Sequence, residues 1–319
     1  MGNKVTMSVE LLDGKFDNVF TKLEACGRIC YNSESKMEEG TAIPYIEKLL
    51  KAGHESVIEH DGMVFYVADQ YRDSIVDLIT SVSGSTHLKI SEHKWKMSKS
   101  YIISGNFRAW RDHYRASFKN PIAATSKAFM STHLLALAIK DFGISKAAQG
   151  ISYMGLTSQF RPNSNIDLEM KHLTATFRID NVSRVMTHQL VRHRPCAFSQ
   201  RSQRWCNESD LKYVMPPTIS EHEIDVPHNT FNSAIIEAKN RLNQLYEMPG
   251  VRKDDARFVL PNATATNIVM TATLNQWRHI ITLRTSDKAS WEIRDAMKLI
   301  YQQLKERYDF FPEIETANA

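Results

Sequence analysis

Residues 191–205 read VRHRPCAFSQRSQRW. Arg192, Arg194, Arg201 and Arg204 stand there with His193, and no carboxylate balances them. So dense a cationic cluster calls for an anion. Guanidinium groups hold phosphate through two parallel charge-assisted hydrogen bonds. The Ser202 hydroxyl and the backbone after Pro195 can complete a phosphate cradle. A solvated basic face is the simplest alternative, but VRHRPCAF mixes the charges with apolar residues. A nucleic-acid groove needs basic groups spread over an extended surface with exposed aromatics. The confinement of the charge points instead to a pocket for one or two small phosphorylated ligands, with no nucleic-acid partner.

Other stretches carry less chemistry. HESVIEH places His54 and His60 six apart, whereas a helical zinc pair needs its two histidines four apart. No metal is expected, because the ligand geometry zinc requires is not offered; His54 and Glu59 suit hydrogen bonding to a ligand, or to each other. Cys196 and Ser202 lie near basic groups, but no nucleophile elbow, plausible triad spacing, glycine-rich dinucleotide turn or P-loop is present. Any phosphate is therefore expected on arginine and backbone groups.

These groups need a scaffold. Residues 4–12 read as a strand, 16–29 and about 41–52 as helices, the second closed by Gly53, and MVFYVA (63–68) as a strand. Residues 69–171 form an excursion. THLKISEHKWKMSKSYIIS suggests two strands; GNFRAWRDHYRAS and IAATSKAFMSTHLLALAIKDFG suggest helices; QGISYMGLTSQFRPNSNID reads as loop. HLTATFRID (172–180) alternates as a half-buried strand. NVSRVMTHQLVRHR reads as a helix ended by Pro195, with Val182, Val185, Met186 and Leu190 as its apolar stripe and Arg184, His188, Gln189 and Arg192 on another face. A helix near 230–247, a strand at TNIVMTAT and two C-terminal helices follow. YIISGNFRAWRDHY (101–114) faintly echoes IVMTATLNQWRHII (268–281): each is a strand running into a Trp-Arg helix.

The chain has 319 residues, 42% apolar and 24% charged, with a net charge of +4, which fits an ordinary globular protein and excludes wholesale polyanion binding. No apolar run approaches the roughly 20 residues a bilayer needs. The N-terminus lacks a signal-peptide core and, although Met-Gly-Asn leaves myristoylation formally open, the expectation is cytoplasmic, with no membrane partner. Four cysteines are too few for a disulfide scaffold.

The run RHRPCAFSQRS, Arg-His-Arg followed by seven residues and Ser202, resembles the signature of the flavin-dependent thymidylate synthases. GRICYNS (27–33), GHESVIEH (53–60), SRVMTHQLVRHR (183–194), DARFVLPNAT (255–264) and LRTSDKASWEIR (283–294) resemble further blocks of that family, in order. The resemblance implies an α+β fold: a mixed or antiparallel sheet flanked by helices, one domain over 1–319 carrying a large inserted subdomain at about 69–171. It implies FAD as cofactor, NADPH and methylenetetrahydrofolate as cosubstrates, conversion of dUMP to dTMP, and a homotetramer with shared FAD sites. By position, Gln189, Leu190, Val191 and Arg192 face dUMP. Gln200, Arg201, Ser202, Gln203 and Arg204 hold it with Arg257, and Arg284 acts catalytically on the uracil carbonyl edge. His54, Ser56, Glu59, Arg192, His193, Arg194 and Gln200 are the FAD candidates, with Asn275 and His279. The family's Asn-x-Arg before the uracil-side helix is replaced here by Thr273 and Asn275. Asn106 and Arg108, in GNFRAWR, lie in a similar strand-to-helix context and are candidates to supply replacement flavin or interface contacts.

Overall fold

The computed structural model describes residues 3–71, 88–95, 98–117, 151–161, 165–221 and 225–314. Its strands are β1 (Asn3–Lys4), β2 (Ser8–Leu11), β3 (Gly62–Ala68), β4 (Lys89–Trp95), β5 (Ser98–Asn106), β6 (Ile151–Leu156), β7 (Thr174–Ser183), β8 (Ala197–Gln200), β9 (Lys212–Tyr213) and β10 (Ala265–Thr273). They form two four-stranded antiparallel sheets, β2-β7-β10-β8 and β4-β5-β3-β6, and a small parallel pair, β1-β9. Helices flank them, so the α+β class read from the sequence holds.

The larger core lies between the first sheet and the helices Leu274–Arg284 and Trp291–Arg307. Leu173, Ala175, Phe177 and Ile179 are fully buried, as the alternation predicts, and meet Trp277, Ile280, Met297, Ile300 and Leu304. Burying each large side chain contributes about 1.5–3 kcal/mol.

Several expectations need correction. The first long strand is shorter than 4–12, because only Ser8–Leu11 pairs with β7. Thr176, on the supposed polar face of β7, is fully buried: Asp13 accepts from its amide and Thr271 donates to its hydroxyl. The helix before Pro195 is only Arg184–Leu190, and Val185 points outward, 44% exposed, since so short a helix buries one narrow stripe. Residues 151–156 are a strand rather than loop, completing the sheet beyond β3. The helix read at 122–143 lies outside the described residues. Strands β4, β5 and β6 of the 69–171 stretch all belong to the sheet built on β3, which is itself outside that stretch.

The seam between the sheets is polar. His60, fully buried, bonds Thr271 Oγ1 (2.9 Å) and Ser199 Oγ (2.8 Å). His172, equally buried, bonds Ser104 Oγ (2.7 Å) and Ser91 Oγ (2.8 Å). Burial, helped by Lys22 for His60 and by Lys89 and Lys171 for His172, pulls each imidazole pKa down to about 3. Nearby, Lys22 bridges Asp13 (2.5 Å) and Asp61 (3.0 Å). Burial opposes its charge, but the two carboxylates outweigh it and raise its pKa.

The two histidines set a pH dependence. Their folded pKa values lie below the unfolded value near 6.5, so their stabilisation is present above that pH. It is lost as pH falls toward 3, because only the unfolded chain takes up the protons. Two such groups give a slope of roughly 2.7 kcal/mol per pH unit below the unfolded pKa. Urea melts between pH 6.5 and 5 are expected to show this fall, and a flat stability over that interval would contradict two neutral histidines at the seam.

Candidate functional site

A cleft of about 410 Å³ opens beside the β8 end of the first sheet. Its wall joins distant parts of the chain: Cys30, Tyr31, His54, Ser56 and Val57 on one side, Gln200, Ser202 and Trp205 on another, and Arg108 from the helix Phe107–Ser117. The volume falls in the range of small-molecule sites.

Local structure fixes each group. The helix Ala42–Lys51 ends at Gly53 in the left-handed region (φ +78°), which turns the chain toward His54. Tyr31 and His54 are hydrogen-bonded, with rings stacked at 6.1 Å. Glu59 accepts from Arg108 Nη1 at 2.6 Å, and Glu55 pairs with Arg111 at 2.5 Å, so the 107–117 helix is clamped onto the 55–60 turn. On the other wall the Ser202 amide donates to Cys30 O (2.9 Å), the Arg204 amide donates to Ser202 Oγ (3.2 Å), and Gln200 Nε2 donates to Thr187 Oγ1 (2.9 Å). Trp205 stays 62% exposed, with the Arg204 guanidinium 5.4 Å from its ring centre.

Behind this wall lies an arginine group. Arg184 Nη2 donates to the Arg201 carbonyl (3.0 Å), Arg201 pairs with Glu208 (3.4 Å), Arg204 with Asp254 (3.6 Å), and Arg257 Nε donates to the Asp254 carbonyl (2.9 Å). Arg184 Nε and Arg201 Nε are buried without a hydrogen-bond partner. Burial lowers the Arg184 pKa against the pull of Glu208, and Arg257 and Arg201 lower it further. Buried guanidinium donors left unpaired among like charges suit an anion with several acceptor oxygens.

Residues 167–310 match the model of the family described as thymidylate synthase complementing protein. That segment is less than half of the chain. Proteins named flavin-dependent thymidylate synthase are similar to the chain: that of Pyrococcus furiosus is 34% identical over 154 residues, covering 46% of this chain and 61% of the relative. That of Nitratidesulfovibrio vulgaris is 40% identical over 130 residues, covering 39% and 53%. That of Mycobacteroides abscessus is 35% identical over 157 residues, covering 46% and 62%. The chain thus spans about three fifths of the length of the curated relatives it matches. A crystal structure of the flavin-dependent thymidylate synthase of Helicobacter pylori, complexed with FAD and dUMP, aligns at a TM-score of 0.38 with 23% identity, over 47% of this chain and 77% of that one.

Within the matched segment, the signature residues divide between two places. Gln200 and Ser202 face the cleft, with Arg201, Arg204 and Arg257 around them. His193 lies elsewhere, buried, with Arg284 Nε donating to its Nε2 at 2.9 Å; burial, with Arg284 and His279, pulls its pKa down to about 4. Arg194 is exposed, its guanidinium 5.7 Å from the Phe198 ring centre. Arg192 is exposed, Gln189, Val191 and Gln203 are half-buried, and Leu190 is a core side chain. Asn275, in the first turn of the 274–284 helix, and His279, in its middle, lie outside the cleft lining. His54, Ser56, Glu59, Asn106 and Arg108 precede the matched segment. Tyr31, Trp205 and Glu208 were not singled out by sequence, and Arg184 was named only as part of a polar helix face. Arg184 carried a signal, since it shares a helix face with Gln189 and Arg192, but nothing in the sequence shows its burial. Among the described residues no group of three or more His, Cys, Asp or Glu gathers to hold a metal ion.

If an anion completes the Arg184 site, Arg184→Met changes stability in anion-free buffer by only about 1 kcal/mol, the lost hydrogen bond being offset by relief of repulsion. It abolishes the rise in melting temperature that inorganic phosphate gives the unchanged protein. Equal stabilisation of both proteins by phosphate would refute the assignment.

Proposed function

We propose that the protein is a flavin-dependent thymidylate synthase, converting dUMP to dTMP with methylenetetrahydrofolate as one-carbon donor. The observation that carries this reading is the cleft itself. Gln200 and Ser202, from the Arg-His-Arg-x7-Ser signature, share its wall with His54 and Ser56, which stand more than a hundred residues earlier in the chain. The names of the relatives similar to the chain support the same reading. FAD, reduced by NADPH, would supply the hydride that completes the methyl group.

The chain's own groups have definable tasks. Ser202, Arg204 and Arg257, with the Gln200 and Arg201 backbone, hold the nucleotide phosphate, with charge-assisted bonds stronger than neutral ones. Gln189 and Arg192 address the base, and Arg284, oriented by its bond to His193, polarises the uracil carbonyl edge. His193 is neutral at neutral pH and so accepts from Arg284 without repelling it. Arg192, Arg194, His54, Ser56 and Glu59 serve the flavin side, with His279, Asn106 and Arg108 as further contacts. Cys196 is poorly suited to act as a nucleophile: it is buried, and burial pushes its thiol up to about 12 against the opposing pull of Lys89 and Arg194. Arg284 and Ser202 belong to separate groups in one chain, which fits a homotetramer whose sites combine chains. A cytoplasmic location completes the proposal.

The purified protein is expected to be yellow, to bleach with NADPH, and to turn over dUMP; a colourless protein that takes up no FAD would refute the reading. Within it, Ser202→Ala and Arg204→Ala weaken dUMP binding tenfold or more, at about 1.4 kcal/mol per decade, and FAD binding by less. Equal losses of both ligands would show the cluster to be divided wrongly.

A further inference from the structure

The echo between 101–114 and 268–281 belongs to a wider correspondence. The sheets have the same order, β6-β3-β5-β4 and β2-β7-β10-β8. Their registers agree: Phe65 lies opposite Ile103 as Phe177 lies opposite Met270, and Ser91 opposite Ile102 as Ser199 opposite Val269. Trp110 meets Phe65 edge-on at 5.1 Å and 79°, and Trp277 meets Phe177 at 5.2 Å and 79°. Each indole donates to the carbonyl two residues before that phenylalanine, Met63 O at 3.3 Å and Ala175 O at 2.9 Å. The first helical amides, Phe107 and Leu274, donate to Asp61 O and Leu173 O, both at 3.0 Å. Asn106 and Thr273 cap the two helices by accepting from Ala109 and Gln276.

The contacts between the units are reciprocal. His60, just before β3, bonds Thr271 and Ser199 of the other sheet; His172, just before β7, bonds Ser104 and Ser91 of the first. The outer strands are exchanged too: β2 precedes β3 in the chain but pairs with β7, while β6 precedes β7 but pairs with β3. Reciprocal exchange of this kind is the mark of a two-fold axis.

We infer that the described residues of 8–117 and of 151–284 are two copies of one unit related by an internal two-fold axis, and that the cleft is a composite, single site for a flavin and a nucleotide, with Arg108 as a flavin-side residue supplied by the first copy. The inference rests on the proposed reading of the cleft. The first copy brings His54, Ser56 and Arg108, and the second brings Gln200, Ser202 and Trp205. The axis generates a second location, and there the residues differ. Asn275 replaces Arg108, and Glu92 replaces Gln200, setting an anionic side chain where an anionic ligand would lie. Lys89, whose counterpart is Ala197, reaches across and donates to Thr273 Oγ1 at 2.8 Å, tying off the helix cap on that side. Arg108 is 41% exposed toward the cleft while Glu59 holds its Nη1. The second location is therefore not a binding site, and Asn275 is not a flavin contact within the chain.

Titration of the intact chain with FAD, followed by flavin fluorescence, tests this. One FAD per chain is expected. Arg108→Gln weakens FAD at least tenfold, Arg108→Lys less, since it keeps the charge beside Glu59, while Asn275→Ala and Glu92→Gln stay within twofold of the unchanged protein. Two equivalents of FAD per chain, or Asn275→Ala weakening FAD as Arg108→Gln does, overturns the inference. The stoichiometry needs no variant, so it decides the matter even where Arg108→Gln fails to fold. An unchanged protein that binds FAD while a folded Arg108→Gln binds it equally well overturns the composite cleft alone. An unchanged protein that takes up no FAD overturns the proposed function and this inference with it.

Discussion

The structure depends on two neutral imidazoles that cross a polar seam. His60 and His172 each span two hydroxyls of the opposite sheet, and both are fully buried. A neutral ring has one donor and one acceptor, and a hydroxyl can serve either, so both nitrogens are satisfied without a charge. An aliphatic side chain there would leave Ser91, Ser104, Ser199 and Thr271 short of partners inside the protein, a cost of about 1–3 kcal/mol for each group left unsatisfied. The site hangs from the same point. His60 ends the turn that carries His54, Ser56 and Glu59, and the next residue, Asp61, is fastened by Lys22, Thr157 and Ser158. One wall of the cleft is thus held by the seam that joins the sheets.

The other wall is held against electrostatic resistance. Burial, helped by the nearby Arg257 and Arg201, lowers the tendency of Arg184 to stay charged, and Glu208 and Asp254 answer only part of the charge gathered there. Burial raises the Glu208 pKa against the pull of Arg201 and Arg184, so neither partner is comfortable. Such frustration is expected where a ligand completes the charge balance, because groups arranged for a bound anion repel each other without it. The stiffness of the first wall and the strain of the second are complementary: the turn at 54–60 cannot relax to relieve the arginines.

The sequence made some of this legible. Strict alternation in HLTATFRID revealed the buried face of β7, and the density of arginine at 191–205 singled out Ser202 and the arginines around it, because both are local patterns. It did not reveal that Thr176 is buried, since the groups covering it, Asp13 and Thr271, are more than ninety residues away in each direction. The strand at 151–156 was hidden because its pairing with β3, rather than its own alternation, makes it a strand. Tyr31 and Trp205 gave no local sign of facing one cleft. The separation of Arg284 from Ser202 within the chain could not be read either, since spacing along a sequence carries no direction in space.

The faint echo around the two Trp-Arg helices shows how a fold can persist where sequence has drifted. What remained in both copies is what the packing requires: the tryptophan, the phenylalanine it meets, a capping side chain and a seam histidine. What differs is what a ligand would touch. In two separate identical chains a change at one such position appears at both symmetric sites. Fusion removes that constraint, so Lys89 can stand opposite Ala197 and Asn275 opposite Arg108 without the cleft losing its own residues. The placement of Lys89 makes the point energetically. Its amine sits at the positive end of the 274–284 helix, an unfavourable place for a cation, and burial draws its pKa down to about 8. The same side chain on the cleft side would bring that penalty to the cap at Asn106, beside Arg108. The asymmetry falls where only one of the two locations has to receive a ligand.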